Sequence, residues 1–134
     1  MSYSMSHRMM QNRWVCAFAP QPTARLRLLC FPYAGGGTSI YRSWSAQLPP
    51  HIELCAVRLP GREGRFAEPP LRRMDRLLAL LVNGVLPYLD RTVAFFGHSL
   101  GALVAFELAR ALRREGLPTP AHVFVSGRRA PQPE

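Results

Sequence analysis

The segment Gly97-His98-Ser99-Leu100-Gly101 constrains this chain more than any other. It follows residues 92–96, a β-branched and aromatic run typical of a buried strand, and precedes residues 102–114, an Ala-, Leu- and Arg-rich run typical of a helix. A G-x-S-x-G sequence at such a junction predicts a tight, strained turn, in which only glycine leaves room for strand and helix to close around the serine. The turn would lift the serine hydroxyl clear of the sheet at a helix N-terminus, where N–H groups favour a developing negative charge. We therefore expect Ser99 to be a nucleophile. A plain loop is the alternative, and the flanking elements disfavour it.

The rest of the chain alternates between strand-like and helix-like segments. Strands are predicted at residues 14–18, 26–31, 52–57, 92–96 and 122–126, and helices at residues 40–47, 74–89 and 102–114. Residues 26–31 (LRLLCF) carry apolar side chains on both faces, as a strand of a buried parallel sheet requires. The alternation predicts an α/β fold with a mostly parallel sheet and helices on both of its faces.

The length of the chain, 134 residues, is enough for one modest domain, and its 48% of apolar residues is enough for a packed core. Residues 1–13 are polar and methionine-rich, without periodicity, and we expect them to form a flexible tail. Residues 14–134 are expected to form the domain.

The chain is strongly basic. Its formal net charge is +9, and all 17 basic residues are arginine. Such a balance favours acidic partners. The arginines are scattered along the chain, however, and no recognition-helix or zinc-ligand pattern is present, so we expect no nucleic-acid partner. An acidic protein suits the charge equally well.

The three cysteines are an odd number, and two of them lie in strand-like apolar runs. We expect Cys16, Cys30 and Cys55 to be reduced thiols of a cytoplasmic protein, and their spacing suggests no metal site. The apolar stretch at residues 14–19 is too short for a signal peptide, and no stretch approaches the length of a transmembrane helix, so no membrane partner is expected.

Acyl transfer by a serine needs a histidine base, a carboxylate that orients the base, and two N–H donors for the oxyanion. The Leu100 N–H, directly after Ser99, can supply one donor. The second is expected near Ala34, in the Gly-rich loop Tyr33-Ala34-Gly35-Gly36-Gly37 that follows the strand at residues 26–31.

The base and its carboxylate are not evident in the sequence. In this architecture the partners follow the serine in the order acid, then histidine. Only His122 follows Ser99, at the start of a strand, and the intervening Glu107 and Glu115 are expected on a helix surface. His98 is expected to pack at the turn rather than to act as the base. His7 and His51 lie in a tail and a loop, with no motif around them.

Four segments occur in an order that resembles a known family. They are FPYAGG at residues 31–36, RLPGRE at residues 58–63, FGHSLGA at residues 96–102 and VSGRRAP at residues 125–131. Together they resemble the type II thioesterases that accompany modular polyketide and nonribosomal peptide synthetases. The resemblance covers about residues 14–131, and RLPGRE and SGRRAP are its most specific parts.

The resemblance implies an α/β-hydrolase fold and hydrolysis of acyl thioesters on the phosphopantetheine arm of acyl or peptidyl carrier proteins, without a cofactor of the enzyme's own. By the motif match, Ser99 would be the nucleophile, and Ala34 and Leu100 would give the oxyanion N–H groups. The aspartate and histidine of the family lie further on, past a helical lid. We therefore expect this chain to be the N-terminal half, truncated after the strand that follows the nucleophile helix and lacking the lid and the C-terminal strands.

Three functions remain open at this point. The first is a thioesterase that is incomplete as given, and the second is a serine esterase that acts on another acyl substrate. The third is a catalytically inactive remnant that at most binds a carrier protein. The densest basic region has two interpretations, a solvated surface or a docking surface for an acidic carrier domain; it comprises Arg58, Arg62, Arg65, Arg72, Arg73 and Arg76.

Overall fold

The computed structural model describes residues 12–32, 38–59 and 74–127. These residues contain five strands: β1 (Val15–Ala17), β2 (Leu26–Phe31), β3 (Ile52–Val57), β4 (Thr92–His98) and β5 (His122–Ser126). The α-helices are α1 (Arg42–Ser45), α2 (Met74–Val85) and α3 (Leu100–Arg114), and short 3-10 turns cover Thr38–Tyr41 and Leu86–Tyr88.

The five strands form one sheet in the order β1-β3-β2-β4-β5. Strands β2, β3, β4 and β5 are parallel, and only β1 at one edge is antiparallel, to β3. The prediction of a mostly parallel sheet is therefore confirmed. Strand β4 lies between β2 and β5, so its carboxyl end, which leads into α3, has a neighbouring strand on each side.

The larger core lies on one face of the sheet, under α2 and α3. Leu29, Phe31 and Phe95 of the sheet and Leu81 and Leu108 of the two helices are fully buried in it. A smaller cluster on the opposite face joins Cys30, Leu54 and Ala56 to Tyr41. Helical segments thus cover both faces, as predicted, although in the described residues the second face carries only the 3-10 turn at Thr38–Tyr41 and α1.

The predicted helices differ from the observed ones at their ends. The segment predicted as one helix at residues 40–47 is a 3-10 turn followed by the four residues of α1. The helix predicted to reach residue 89 ends at Val85 and continues as a 3-10 turn, because Pro87 has no N–H to donate to the helix. Strand β4 runs two residues further than predicted, since Gly97 pairs with Phe31 and His98 pairs with Ser126.

Asn12 makes two hydrogen bonds at the start of the described residues. Asn12, placed in the expected tail, donates from Nδ2 to the Gly84 carbonyl at 2.6 Å and accepts the Trp14 N–H at 2.7 Å. These two hydrogen bonds fix the start of β1 against the end of α2. Residues 1–11 lie outside the described part.

The three cysteines are free thiols. Burial in the core raises the pKa of Cys30 and that of Cys55, so both remain protonated at neutral pH. Protonated, buried thiols are chemically inert, which agrees with a packing role for both residues.

A buried ion pair joins β2 and β3 near the amino ends of these strands. Arg27 donates from Nε to Glu53 Oε1 at 2.6 Å, and both side chains are only 4% exposed. The second Glu53 oxygen accepts the Gln21 N–H at 2.7 Å. Arg27 also donates from Nη1 to Asp90 and to the Tyr88 carbonyl, the latter at 3.3 Å. Each charge of the pair thus has several hydrogen-bond partners, which offsets the cost of its burial.

Asp90, the exposed end of this network, makes stability depend on pH. Partial burial raises its pKa, but hydrogen bonding to Arg91 and the charges of Arg27 and Arg91 outweigh that effect, so the pKa is lowered overall. A lowered folded-state pKa means that the unfolded chain binds the proton first. The contribution of Asp90 is therefore present above pH ~4 and is lost as the pH falls further.

We predict that Asp90→Asn flattens the acid limb of the stability curve. Between pH 5 and pH 2, the free energy of unfolding should fall less in the variant than in the original chain. The difference should be below about 1 kcal/mol, because the Asp90 side chain is 42% exposed and solvent screens its ion pairs. Urea denaturation at several pH values measures it. An acid limb that is equally steep in both proteins would contradict the prediction.

Candidate active site

Ser99 is the single residue between β4, which ends at His98, and α3, which begins at Leu100. Its backbone has φ 60° and ψ −123°, and among the described residues it is the only one besides glycine with a positive φ. Such a conformation costs on the order of 1–3 kcal/mol and persists only where the surroundings enforce it. The strained strand–turn–helix junction predicted from the sequence is therefore present.

The two glycines of the motif are required by close backbone contacts. A Cβ on Gly97 would lie 2.3 Å from the carbonyl oxygen of Gly101, and a Cβ on Gly101 would lie 2.0 Å from the carbonyl oxygen of Phe31. Any side chain at either position would push α3 away from β4 or β2. Because Gly97 and Gly101 have no side chains, the first turn of α3 packs directly on the ends of β4 and β2.

Backbone hydrogen bonds hold Ser99 from both sides. Its N–H donates to the Ser126 carbonyl at 3.0 Å, which ties it to the end of β5. Its carbonyl accepts the Ala102 N–H at 2.9 Å, within the first turn of α3. Serine often caps helices through its side chain, but Ser99 makes no such bond to α3. Its hydroxyl is therefore not used in capping the helix that it precedes.

The electrostatic setting of Ser99 comes from α3. This helix has 15 residues, and Leu100 is the first, so the Leu100 N–H has no acceptor within the helix. The N–H groups of the first turn and the helix dipole place partial positive charge beside Ser99. Arg113 and Arg114 in the last turn complement the opposite pole. The arrangement can stabilise negative charge that develops next to the Ser99 hydroxyl.

Strand β2 ends beside the first turn of α3. Its last residue, Phe31, has its carbonyl against Gly101, and that carbonyl also accepts a hydrogen bond from the Tyr41 hydroxyl at 3.0 Å. Ala34, the predicted second oxyanion donor, follows three residues later and lies in residues 33–37, outside the described part. The described end of β2 therefore starts that loop beside the first turn of α3.

The structure places the other candidate residues away from Ser99. His122 pairs with Ala94, which lies five residues before Ser99 and hence roughly 15 Å away along the strand. His51 directly precedes β3, at the amino ends of the parallel strands. Glu107 forms an ion pair with Arg110 at 3.6 Å on α3, and Glu115 is exposed beyond that helix. The described residues therefore do not place a second histidine or a glutamate beside Ser99.

His98 packs at the turn, as expected, and its contact was not foreseen. Its imidazole lies against Gly127, the residue after β5. The only sequence feature that pointed to this contact was the SGRRAP segment, whose first two residues are Ser126 and Gly127. The remaining four lie in residues 128–131, outside the described part, as do residues 60–63 of RLPGRE and all the arginines of the basic region except Arg58 and Arg76.

Neither a metal-binding cluster nor a membrane-spanning helix is present in the described residues. No group of three or more His, Cys, Asp or Glu side chains there could hold a metal ion. No helix there is both long enough and apolar enough to cross a membrane.

A family model for the thioesterase domain matches residues 26–134. The chain belongs to the thioesterase domain family. It is 46% identical over 121 residues to the gramicidin S biosynthesis protein GrsT of Aneurinibacillus migulanus. The aligned residues cover 90% of this chain and 47% of GrsT. The chain thus spans about half the length of this relative.

Solved structures agree with this assignment. The RedJ thioesterase from the prodiginine biosynthetic pathway of Streptomyces coelicolor has a TM-score of 0.77 and 45% identity, covering 83% of this chain and 42% of RedJ. The type II thioesterase BorB from the borrelidin cluster has a TM-score of 0.74 and 38% identity, covering 84% of this chain and 45% of BorB. The resemblance to type II thioesterases and the expected α/β-hydrolase fold are thereby confirmed for this thioesterase-family chain.

We predict that glycine stabilises the fold more than alanine does at position 99, the reverse of their usual order in a helix. Ser99→Gly should be more stable than Ser99→Ala by about 1–2 kcal/mol, because alanine at a positive φ stays strained and glycine does not. Urea denaturation measures both variants. The matched control is Ser43, an exposed residue of α1, where alanine should be equal to or more stable than glycine by up to about 1 kcal/mol. The same order at both positions would show that Ser99 is not strained.

Proposed function

We propose that this chain carries the nucleophile half of a serine thioesterase. Its substrates would be acyl groups on the phosphopantetheine arms of carrier proteins in polyketide or nonribosomal peptide biosynthesis, where their removal would unblock the synthetase. The observation that carries the proposal is Ser99, held at a positive φ between β4 and the N-terminus of α3 in a chain of the thioesterase family. The names of GrsT, RedJ and BorB support the pathway class.

The proposed reaction starts at the Ser99 hydroxyl. Its Oγ attacks the thioester carbonyl carbon, and the Leu100 and Ala34 N–H groups stabilise the oxyanion of the tetrahedral intermediate. Collapse breaks the C–S bond, and the thiol leaves with the proton that the serine has lost. Water then attacks the acyl-serine and releases the carboxylic acid, which regenerates the hydroxyl. These steps need no cofactor.

The base for these proton transfers is proposed to lie in the part of the family architecture that this chain does not span. The support is positional: His122 lies near the amino end of β5, and Glu107 and Glu115 lie on or beyond α3. The same observation favours a second candidate function, in which the chain binds a carrier protein without turning it over. A reaction of Ser99 with an electrophile separates the two functions.

The proposed partner is an acidic carrier domain. The formal net charge of +9 favours its approach, and this steering should weaken as salt is added. The free thiols Cys16, Cys30 and Cys55 fit a reducing compartment, and we propose the cytoplasm.

We predict that a fluorophosphonate labels Ser99. With imidazole added as an external base, the expected result is one adduct per chain by intact-protein mass spectrometry, because the turn and the helix N-terminus favour attack by its hydroxyl. Ser99→Ala should remove the adduct, and Ser43→Ala, which changes an exposed serine elsewhere, should leave it unchanged.

An adduct that persists in Ser99→Ala would remove Ser99 from the proposed role. Absence of any adduct in the original chain would favour the second candidate function, in which this half binds without reacting.

A further inference from the structure

The imidazole of His98 lies where the Cβ of any residue larger than glycine at position 127 would stand. A Cβ built on Gly127 would lie 2.0 Å from His98 Cε1, 2.4 Å from Nδ1 and 2.9 Å from Nε2. No carbon atom can stay that close to three ring atoms, so a side chain at Gly127 would displace the whole ring. Gly127 also has a φ of +73°, in the left-handed region that favours glycine.

A second contact joins the same two segments. His98 and Ser126 are register partners in β4 and β5, and the N–H of Ser99 donates to the Ser126 carbonyl at 3.0 Å. The residue before Ser99 is thus held by a side-chain contact, and Ser99 itself is held by a backbone hydrogen bond. Both contacts end on the exit of β5, at Ser126 and Gly127.

We propose that His98 and Gly127 are positioning residues for Ser99. The space left by the absent side chain of Gly127 accommodates the His98 ring, and this packing keeps the Ser99 N–H on Ser126 and so fixes where the hydroxyl stands. The geometry of the turn then depends on Ser126 and Gly127 at the end of β5 as well as on the two glycines of the G-x-S-x-G motif. The inference rests on the proposed function only in taking Ser99 as the reacting group.

The proposal explains two residue choices that the catalytic role of Ser99 leaves open. The position before the serine carries a flat ring that fits on a peptide backbone, and the position after β5 carries a residue without a Cβ. A ring that simply swung into solvent when Gly127 gained a methyl group would leave Ser99 in place. The two cases therefore differ in a measurable way at the Ser99 amide.

The test is a double-mutant cycle of His98→Ala and Gly127→Ala, read by hydrogen exchange of the Ser99 N–H in NMR spectra. Gly127→Ala should speed this exchange by about tenfold, within the range for coupled neighbours, and should shift the Ser99 and Leu100 amide signals. In the His98→Ala background, the same change should speed exchange by less than about twofold, since the ring is no longer there to be displaced.

The matched control is Gly116→Ala. Gly116 has nearly the same φ, +70°, but among the described residues other than its chain neighbours no atom lies within 4 Å of a Cβ built there. It therefore reproduces the backbone strain without the contact, and Ser99 exchange should stay within about twofold of the original chain. The N–H of Leu108, in the buried middle of α3, reports global unfolding and separates it from a local change at Ser99.

Two results would overturn the proposal. One is Ser99 exchange in Gly127→Ala equal to that in Gly116→Ala; the other is an effect of Gly127→Ala that is undiminished when His98 is alanine. If Gly127→Ala alone does not fold, the double variant decides, because removal of the ring should restore folding and its failure to do so would contradict the contact.

Fluorophosphonate labelling of the same four proteins of the cycle keeps this proposal separate from the proposed function. If the original chain is labelled, and Gly127→Ala is labelled about tenfold or more slowly, then His98 and Gly127 also control the reactivity of Ser99. An original chain that takes no label contradicts the reactive role of Ser99, while the exchange cycle still decides whether His98 and Gly127 position it.

Discussion

The structure depends on one strained residue at the carboxyl end of β4. Ser99 alone connects β4 to α3, at a φ that alanine or serine adopts only under constraint. The constraint comes from both sides, because Phe95 of β4 and Leu108 of α3 are fully buried in the same core. Gly97 and Gly101 let these two elements meet without a side chain between them. Burial in the core thus stabilises a turn that local preference alone would disfavour.

The two ends of the sheet have different chemistry. At the amino ends of the strands, ionised side chains hold the structure together, with Arg27 and Glu53 buried as a pair. At the carboxyl ends, around Ser99, the described contacts come mainly from backbone groups: the Ser126 and Phe31 carbonyls and the start of α3. Ligands of parallel α/β sheets bind at the carboxyl ends of strands. Among the described groups, the N-terminus of α3 is therefore the main source of positive charge next to Ser99.

Local patterns predicted the elements but not the contacts between them. The strand at Leu26–Phe31 and the junction at Ser99 follow from short apolar runs and from the G-x-S-x-G motif, which are properties of neighbouring residues. Pro87 was visible in the sequence, but the apolar periodicity continues to residue 89, so the residue at which α2 gives way to a 3-10 turn was not predicted. The contact between His98 and Gly127 joins residues 29 positions apart and depends on which strand lies beside β4. Sequence periodicity contains no information on that neighbour, and only the resemblance of the SGRRAP segment pointed to the region.

The central claim is that this junction presents Ser99 to an acyl thioester. The most direct measurement mixes the chain with a carrier protein whose phosphopantetheine arm bears an acyl group, and follows the intact masses of both proteins. Imidazole is added as an external base, because the proposed base lies in the part of the family architecture that this chain does not span. The account predicts that the carrier loses the acyl mass and that this chain gains it at Ser99, with no transfer to Ser99→Ala. A carrier that keeps its acyl group beside an unmodified chain, or an acyl adduct that persists in Ser99→Ala, would contradict it.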